Sequence, residues 1–170
     1  MKIAILSDIH EHKDNLLMAL DTINKDPEIE ALLFCGDFCA PPIAMALTTG
    51  FTKPIHIVFG NNDGDRFMIA NVTRDKSHVT IHGEHAAIEL GGRKIAMTHY
   101  PFYGTALGKS GDFDLVCFGH DHDARIIEYG KCLTINPGSI MGNKTPSSFA
   151  IYDTLAHAAT LHSVNSGFLV

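Results

Sequence analysis

The chain has 170 residues, 45% hydrophobic, 19% charged and 8% aromatic, which fits one globular domain and excludes disordered, collagenous and low-complexity classes. Thirteen Lys and Arg against 19 Asp and Glu leave a formal net charge of −6, so no positive field is available to hold extended nucleic acid by counterion release. Eleven histidines in an acidic chain direct attention instead to metal chemistry.

Ile3 to Leu6 reads as a buried strand. It is too short for a signal-peptide core of about 7–15 residues, so a cytoplasmic location is expected. Leu16, Leu17, Leu20 and Ile23 mark one face of a helix over 13 to 25. A strand at Ala31 to Cys35, a short helix at Ile43 to Leu47 and a strand at Ile55 to Phe59 follow. That alternation predicts parallel crossovers. From residue 78 the pattern changes to short strands at 78–82, 85–90, 93–98, 114–118, 124–129, 131–135, 148–152 and 158–164, with one helix near 102–110. The predicted architecture is two packed sheets with helices outside, one domain over residues 1–170. The uncharged stretches 38–52 and 154–170 are broken by Pro, Gly or polar residues, so no membrane span is expected. Cys35, Cys39, Cys117 and Cys132 read as buried reduced thiols in such a chain.

The carboxyl ends of five apolar runs carry the informative residues. The first ends in Ser7-Asp8-Ile9-His10, the second in Gly36-Asp37 and the third in Gly60-Asn61-Asn62-Asp63. The fourth ends in Thr98-His99 and the fifth in Gly119-His120-Asp121-His122. Ligand sites in open α/β sheets form outside these ends. Gly36, Gly60 and Gly119 are expected to permit the sharp turns that aim the next side chain inward. Asp8 with His10, and His120 with His122, are spaced i, i+2, so extended backbone would point both members of each pair to one side.

So many Asp, His and Asn groups exceed the four positions of a tetrahedral zinc and suit two five- or six-coordinate ions that share a carboxylate. Asp37 is the expected bridge, each of its two oxygens reaching one ion. Such a pair makes a nucleophile from water at neutral pH and clamps an in-line displacement at phosphorus. Mixed carboxylate, amide and imidazole donors accept Mn, Fe, Co, Ni or Zn. The chain has no Gly-x-Ser-x-Gly elbow, Walker A loop, Gly-x-Gly-x-x-Gly or Cys-x-x-Cys pair.

Asp8-x-His10, Gly36-Asp37, Gly60-Asn61-x-Asp63, Thr98-His99 and Gly119-His120-x-His122, in that order, resemble the calcineurin-like metallophosphoesterases, and within them the small prokaryotic phosphodiesterases. The resemblance implies an αββα sandwich of two mixed β-sheets flanked by helices. It also implies two divalent ions, one held by Asp8, His10, Asp37 and His122, the other by Asp37, Asn61, His99 and His120. Ile135-Asn136-Pro137-Gly138-Ser139 is similar to the family's late loop near the site. Many members carry a leaving-group histidine where this chain has Asn62. An amide has no proton to give at neutral pH, so esters with acidic leaving groups, or another proton source, are expected.

The expected activity is dimetal hydrolysis of a small phosphodiester. The alternatives are an interaction scaffold of the same fold or a phosphomonoesterase. Neither extended nucleic acid nor a membrane is an expected partner, and a homodimer is expected only from the general frequency of twofold assemblies. Asp63 is also readable as a turn or cap residue, and Arg66 as a phosphate fork or an ordinary salt bridge. His12 lines the cleft, caps a helix or lies on the surface. His56, His78, His82, His85, His157 and His162 are expected to be satisfied or solvent-facing sheet residues. Tyr100 is expected at the site rim, and segments 40–54, 62–77 and 100–113 to select the substrate.

Overall fold

The computed structural model describes residues 1–143 and 145–164, and the backbone of 167–168. The first unit runs β1 (Lys2–Leu6), α1 (Lys13–Lys25), β2 (Ile29–Phe34), α2 (Pro41–Gly50), β3 (Ile55–Ile57), α3 (Arg66–Thr73) and β4 (Val79–Ile81). Then come β5 (His85–Leu90), β6 (Arg93–Thr98), α4 (Pro101–Ser110), β7 (Leu115–Cys117), β8 (Arg125–Tyr129) and β9 (Cys132–Asn136). The chain closes with β10 (Ser148–Asp153), β11 (Ala158–Ser163) and β12 (Gly167–Phe168).

One sheet has the order β12-β11-β10-β1-β2-β3-β4 and the other β5-β6-β7-β9-β8. β1 to β4 pair in parallel, while β10 runs antiparallel to β1. In the second sheet β6, β7 and β9 are parallel, and β5 and β8 are antiparallel edges. Both sheets are therefore mixed, as the resemblance implied.

Alternation along the strands builds the layers. Ile3 and Ile5 join Leu33, Met97, Leu115 and Ile135 in an apolar layer between the sheets. Ala4 and Leu6 point the other way, into a layer with Leu16, Leu20 and Ile23 of α1 and Ile43 and Leu47 of α2. A smaller layer of Ala96, Val116 and Cys132 lies beneath Leu107 and Phe113 on the α4 side. Helices thus flank the two packed sheets on both outer faces.

β2 starts two residues before the predicted strand, β12 was not predicted, and the helices differ from the sequence pattern as follows. α1 has the expected bounds, but Leu17 is exposed and Ala19 completes the inner face. α2 extends the short predicted helix at both ends, because Pro41 and Pro42 suit the first turn, where no amide partner is needed. α3 falls in a segment read as loop. It has only eight residues, its buried positions are Ile69 and Thr73, and Asp65 caps it by accepting the Met68 N–H at 2.9 Å. None of the described helices is long and apolar enough to cross a membrane.

Candidate metal centre

Three adjacent parallel strands of one sheet, β1, β2 and β3, and two of the other, β6 and β7, end at a common edge of the sandwich. The turns leaving them are knit together. Asp8 N–H donates to the Gly36 carbonyl, Ile9 N–H to the Asp37 carbonyl and Gly119 N–H to the His99 carbonyl, each at 3.0 Å. These bonds tie the first turn to the second and the fourth to the fifth without any side chain.

The side chains do not converge through extended backbone. Asp8, His10, Asp37, His120 and His122 have φ of 54°, 42°, 67°, 76° and 60°, and their neighbours Glu11 and Cys39 are also left-handed. Among the described non-glycine residues only His157 shares that conformation elsewhere. Each such residue stores roughly 1–3 kcal/mol, tolerated where surrounding structure over-determines it. The glycines differ in purpose too. Gly36 makes the turn expected of it at φ 100°, and a Cβ there would lie 2.6 Å from Gly60 N. Gly60 and Gly119 are required by close approach instead: a Cβ would strike the Asp37 carboxylate in one case and Ser7 and Asp8 in the other.

Two groups of ligand atoms result. Asp8 Oδ1 lies 3.1 Å from His122 Nε2 and 3.5 Å from His10 Nε2. His10 Nε2 is in turn 3.5 Å from Asp37 Oδ2. In the second group Asp37 Oδ2 is 3.3 Å from His99 Nε2, which stands 3.1 Å from Asn61 Oδ1 and 3.3 Å from His120 Nδ1. Asn61 Oδ1 and His120 Nδ1 are 2.8 Å apart. Donors about 2.1 Å from an ion stand about 3.0 Å apart at right angles and about 3.4 Å at tetrahedral angles. The separations match that scale. Asp8 Oδ1 and His10 Nε2 are buried without an aligned hydrogen bond, as two donors directed at a shared cation would be. The residues present therefore fit a pair of divalent ions.

Asp37 departs from the expected arrangement. Oδ2 alone faces both groups, while Oδ1 accepts the Asn62 N–H at 2.8 Å. Asn62 Nδ2 also donates to Oδ2 at 2.8 Å. The Asn62 amide thus leans on this carboxylate and does not project freely over the cleft.

Burial opposes ionisation of Asp8 and Asp37, yet both carboxyls sit below their ordinary range. The His10 and His122 rings beside Asp8, and His99 with the Asn62 bonds beside Asp37, outweigh burial. Burial likewise opposes the charge on His99, but the Asp37 and Asp8 carboxylates raise its pKa on balance. His122 is raised chiefly by Asp8. His99 Nδ1 is 2.7 Å from the Cys35 carbonyl, which can only accept. Nδ1 therefore carries the proton, and neutral His99 presents the Nε2 lone pair to the centre.

Beyond these residues lies a layer that positions them. Asp63 is buried and accepts four backbone N–H groups: Asp37 at 3.0 Å, Phe38 at 2.7 Å, Cys39 at 3.1 Å and Gly60 at 2.7 Å. The late loop touches the backbone of the first block: Ser139 Oγ donates to the Asp8 carbonyl at 3.0 Å, and Ile140 N–H to the Ser7 carbonyl at 3.1 Å. Asn136 Nδ2 donates to the Gly119 carbonyl at 3.2 Å. The resemblance placed Ser139 near the site, but its bond to Asp8 could not be read from the sequence, because the two are 131 residues apart.

Other candidates settle into ordinary roles. Arg66 pairs with Glu84 at 2.9 Å and donates to the Gly60 carbonyl at 2.8 Å. His12 occupies the N-cap position of α1 without a capping side-chain bond. All four cysteines are free, but only Cys35, Cys117 and Cys132 are buried as expected; Cys39, in the loop after Asp37, is half-buried. Burial and nearby carboxylates push the Cys39 thiol up to about 11, which keeps it protonated and a poor ligand. His56 and His82 stack with Nδ1 and Nε2 2.9 Å apart, His78 meets the Thr48 carbonyl, and His157 meets Tyr152 Oη. His162 stacks on Phe149, and His85 is exposed beside Tyr103.

Residues 1–157 match the calcineurin-like phosphoesterase superfamily domain. The chain belongs to that superfamily. It is accordingly a hydrolase acting on phosphoesters. Among curated proteins it is similar to phosphodiesterase MJ0936 of Methanocaldococcus jannaschii, 32% identical over 148 residues, covering 85% of this chain and 87% of the relative. The probable metallophosphoesterase YsnB of Bacillus subtilis is 30% identical over 173 residues, covering 95% and 89%. Among solved structures, an archaeal phosphodiesterase superposes with a TM-score of 0.88 at 29% identity, covering 96% of this chain and 99% of that one. Vps29 of Entamoeba histolytica, in its zinc complex, shares the fold at a TM-score of 0.68 and 17% identity, over 98% and 94% of the two chains.

Proposed function

We propose that the protein is a dimetal phosphodiesterase in which Asp8, His10, Asp37 and His122 hold one divalent ion and Asp37, Asn61, His99 and His120 the other. The observation that carries this reading is Asp37 Oδ2, which lies 3.5 Å from His10 Nε2 and 3.3 Å from His99 Nε2. One carboxylate oxygen thus faces both donor groups. The names of the relatives, phosphodiesterase and probable metallophosphoesterase, support the reaction class.

Ions bound there supply a nucleophile from water at neutral pH and offset charge on the phosphoryl oxygens. The chain's own residues do the rest. His99 is locked by the Cys35 carbonyl into the tautomer that offers Nε2. Asp8 is anchored at Oδ2 by the His120 N–H at 2.9 Å, which leaves Oδ1 for the centre. Asn62 can orient a phosphoryl oxygen by donation once its Nδ2 leaves Asp37, and it cannot protonate the leaving oxygen. Turnover should therefore favour acidic leaving groups. The mixed donor set takes Mn, Fe, Co, Ni or Zn.

The test is to strip the protein with chelator, restore Mn2+, Ni2+ or Zn2+, and measure bound equivalents with turnover of bis-p-nitrophenyl phosphate and p-nitrophenyl phosphate. Two equivalents and preferential diester turnover are expected, both lost in Asp37→Asn. One equivalent, or a preference for the monoester, overturns the assignment.

A further inference from the structure

A cavity of about 1050 Å3 opens between α4 and the outer face of β5, at the upper end of small-molecule sites. It exists because α4 packs on β6, β7 and β9 and leaves edge strand β5 uncovered. Ala87, Ala96 and Ala106 fill little of the space between them. The remaining wall is largely aromatic, with Phe102 and Tyr103 exposed.

This groove is continuous with the candidate centre through Tyr100, which lines it. The Tyr100 ring stands 5.3 Å from the His99 ring and 5.4 Å from the His120 ring. On its other side it meets Tyr103 at 6.1 Å, and Tyr103 meets Phe102 at 5.4 Å. A path of rings thus runs from two proposed ligands into the cavity.

The lining also says what fits. It contains no lysine or arginine, and Glu84, its acidic member, is paired with Arg66. His85 is its one imidazole, so a second phosphate or other anion would find no permanent counter-charge, whereas an uncharged flat ring gains stacking contacts on Tyr103 and Phe102. Because Tyr100 stands 5.3 Å and 5.4 Å from the rings of His99 and His120, an ester group on a phosphorus held at the centre can reach the mouth of this groove.

We propose that this groove is the subsite for the retained ester of the substrate, and that this ester carries an uncharged aromatic ring, aryl or nucleobase. The proposal deepens the phosphodiesterase reading and rests on it for the reaction, though not for the binding of the ring. Phe102, Tyr103 and Ala106 are then specificity-determining residues.

Three p-nitrophenyl diesters with the same leaving group, retaining methyl, phenyl or thymidin-5′-yl, separate the possibilities. Wild-type protein should prefer the ring-bearing esters by about tenfold or more in kcat/KM, in line with the strength of an aromatic stack. Ala106→Leu, at an exposed helix position, should fill the groove and remove most of that preference, the loss falling mainly on the ring-bearing esters. Ala87→Leu does the same from the opposite wall, so the result does not depend on one variant folding. A phenyl preference without a thymidinyl one assigns an aryl group, and the reverse a nucleoside.

Ligand-observed saturation-transfer NMR on chelator-treated protein adds a readout independent of turnover. Ring protons of phenyl phosphate or thymidine 5′-phosphate should receive saturation in the wild type and much less in Ala106→Leu. If no diester is hydrolysed but this pattern holds, the phosphodiesterase reading fails and the groove stands. Unchanged saturation in both variants, an unchanged ester preference, or equal loss on all three esters overturns the groove.

Discussion

Replacing Asp63 by asparagine keeps the size of the side chain and exchanges one carboxylate oxygen for an amide nitrogen. Each oxygen accepts two backbone N–H groups, Phe38 and Cys39 at Oδ1, Asp37 and Gly60 at Oδ2. Whichever way the amide turns, two of the four bonds are lost and an NH2 group faces two buried donors. Hydrogen bonds to a charged partner contribute about 1.5–3 kcal/mol each, so two sum to about 3–6 kcal/mol, and relaxation brings the expected cost to about 3 kcal/mol. For a chain of this length that is a fall in Tm of roughly 6–12 °C. Asparagine is favoured in turns, so a residue serving only as a turn would tolerate the change within about 0.5 kcal/mol. The measurement is chelator-treated wild type against Asp63→Asn by urea and thermal unfolding, followed by metal titration of both. Stability within 1 kcal/mol of wild type, or undiminished metal affinity, would refute the claim that this carboxylate organises the loops bearing Asp37 and Asn61.

Adding back the bound ion at about 100 times its Kd should raise stability by about 2.7 kcal/mol, a Tm increase of roughly 5–11 °C reversed by chelator; scanning fluorimetry showing no metal-dependent shift would count against the site. Asn62→His should raise turnover of alkyl esters by about 10²-fold while changing p-nitrophenyl esters little, because only poor leaving groups need a proton; parallel steady-state assays that find equal changes would remove the leaving-group argument. Burial holds His56 and His82 below the ordinary histidine value, with His82 also depressing His56. The unfolded chain therefore binds more protons there, and this contribution to stability is present above about pH 6.5 and lost as pH falls through the depressed values. The loss between pH 7 and pH 5 should be smaller in His56→Asn than in wild type by urea unfolding, and an identical or steeper loss would contradict it.

Local patterns were enough for the strands through β11 and for three of the helices, while the two-residue β12 was not foreseen. Apolar runs such as Ile3 to Leu6 and Leu115 to Cys117 are buried strands by length and composition alone, and a polar residue at the end of each is visible without coordinates. α3 escaped because eight residues with Ile69 and Thr73 buried carry too little periodicity. Its legible signal was the cap, Asp65 three positions before Met68.

The chemistry proposed for the centre is suggested by residue types, since Asp, His and Asn at strand ends are costly anywhere without partners. Their geometry is not. Side chains at i, i+2 converge in extended backbone, but Asp8, His10, His120 and His122 converge through left-handed turns. Only the over-determining bonds among five loops can hold such conformations. Gly60 and Gly119 could not be told from turn glycines until the Asp37 and Asp8 carboxylates were placed against them. The Asp63 cradle, the Ser139 bond to Asp8 and the groove behind Tyr100 join residues from 3 to 131 positions apart. Periodicity reports which face of its own element a residue occupies, and says nothing of what packs opposite it. That was decided when the two sheets closed on a shared core.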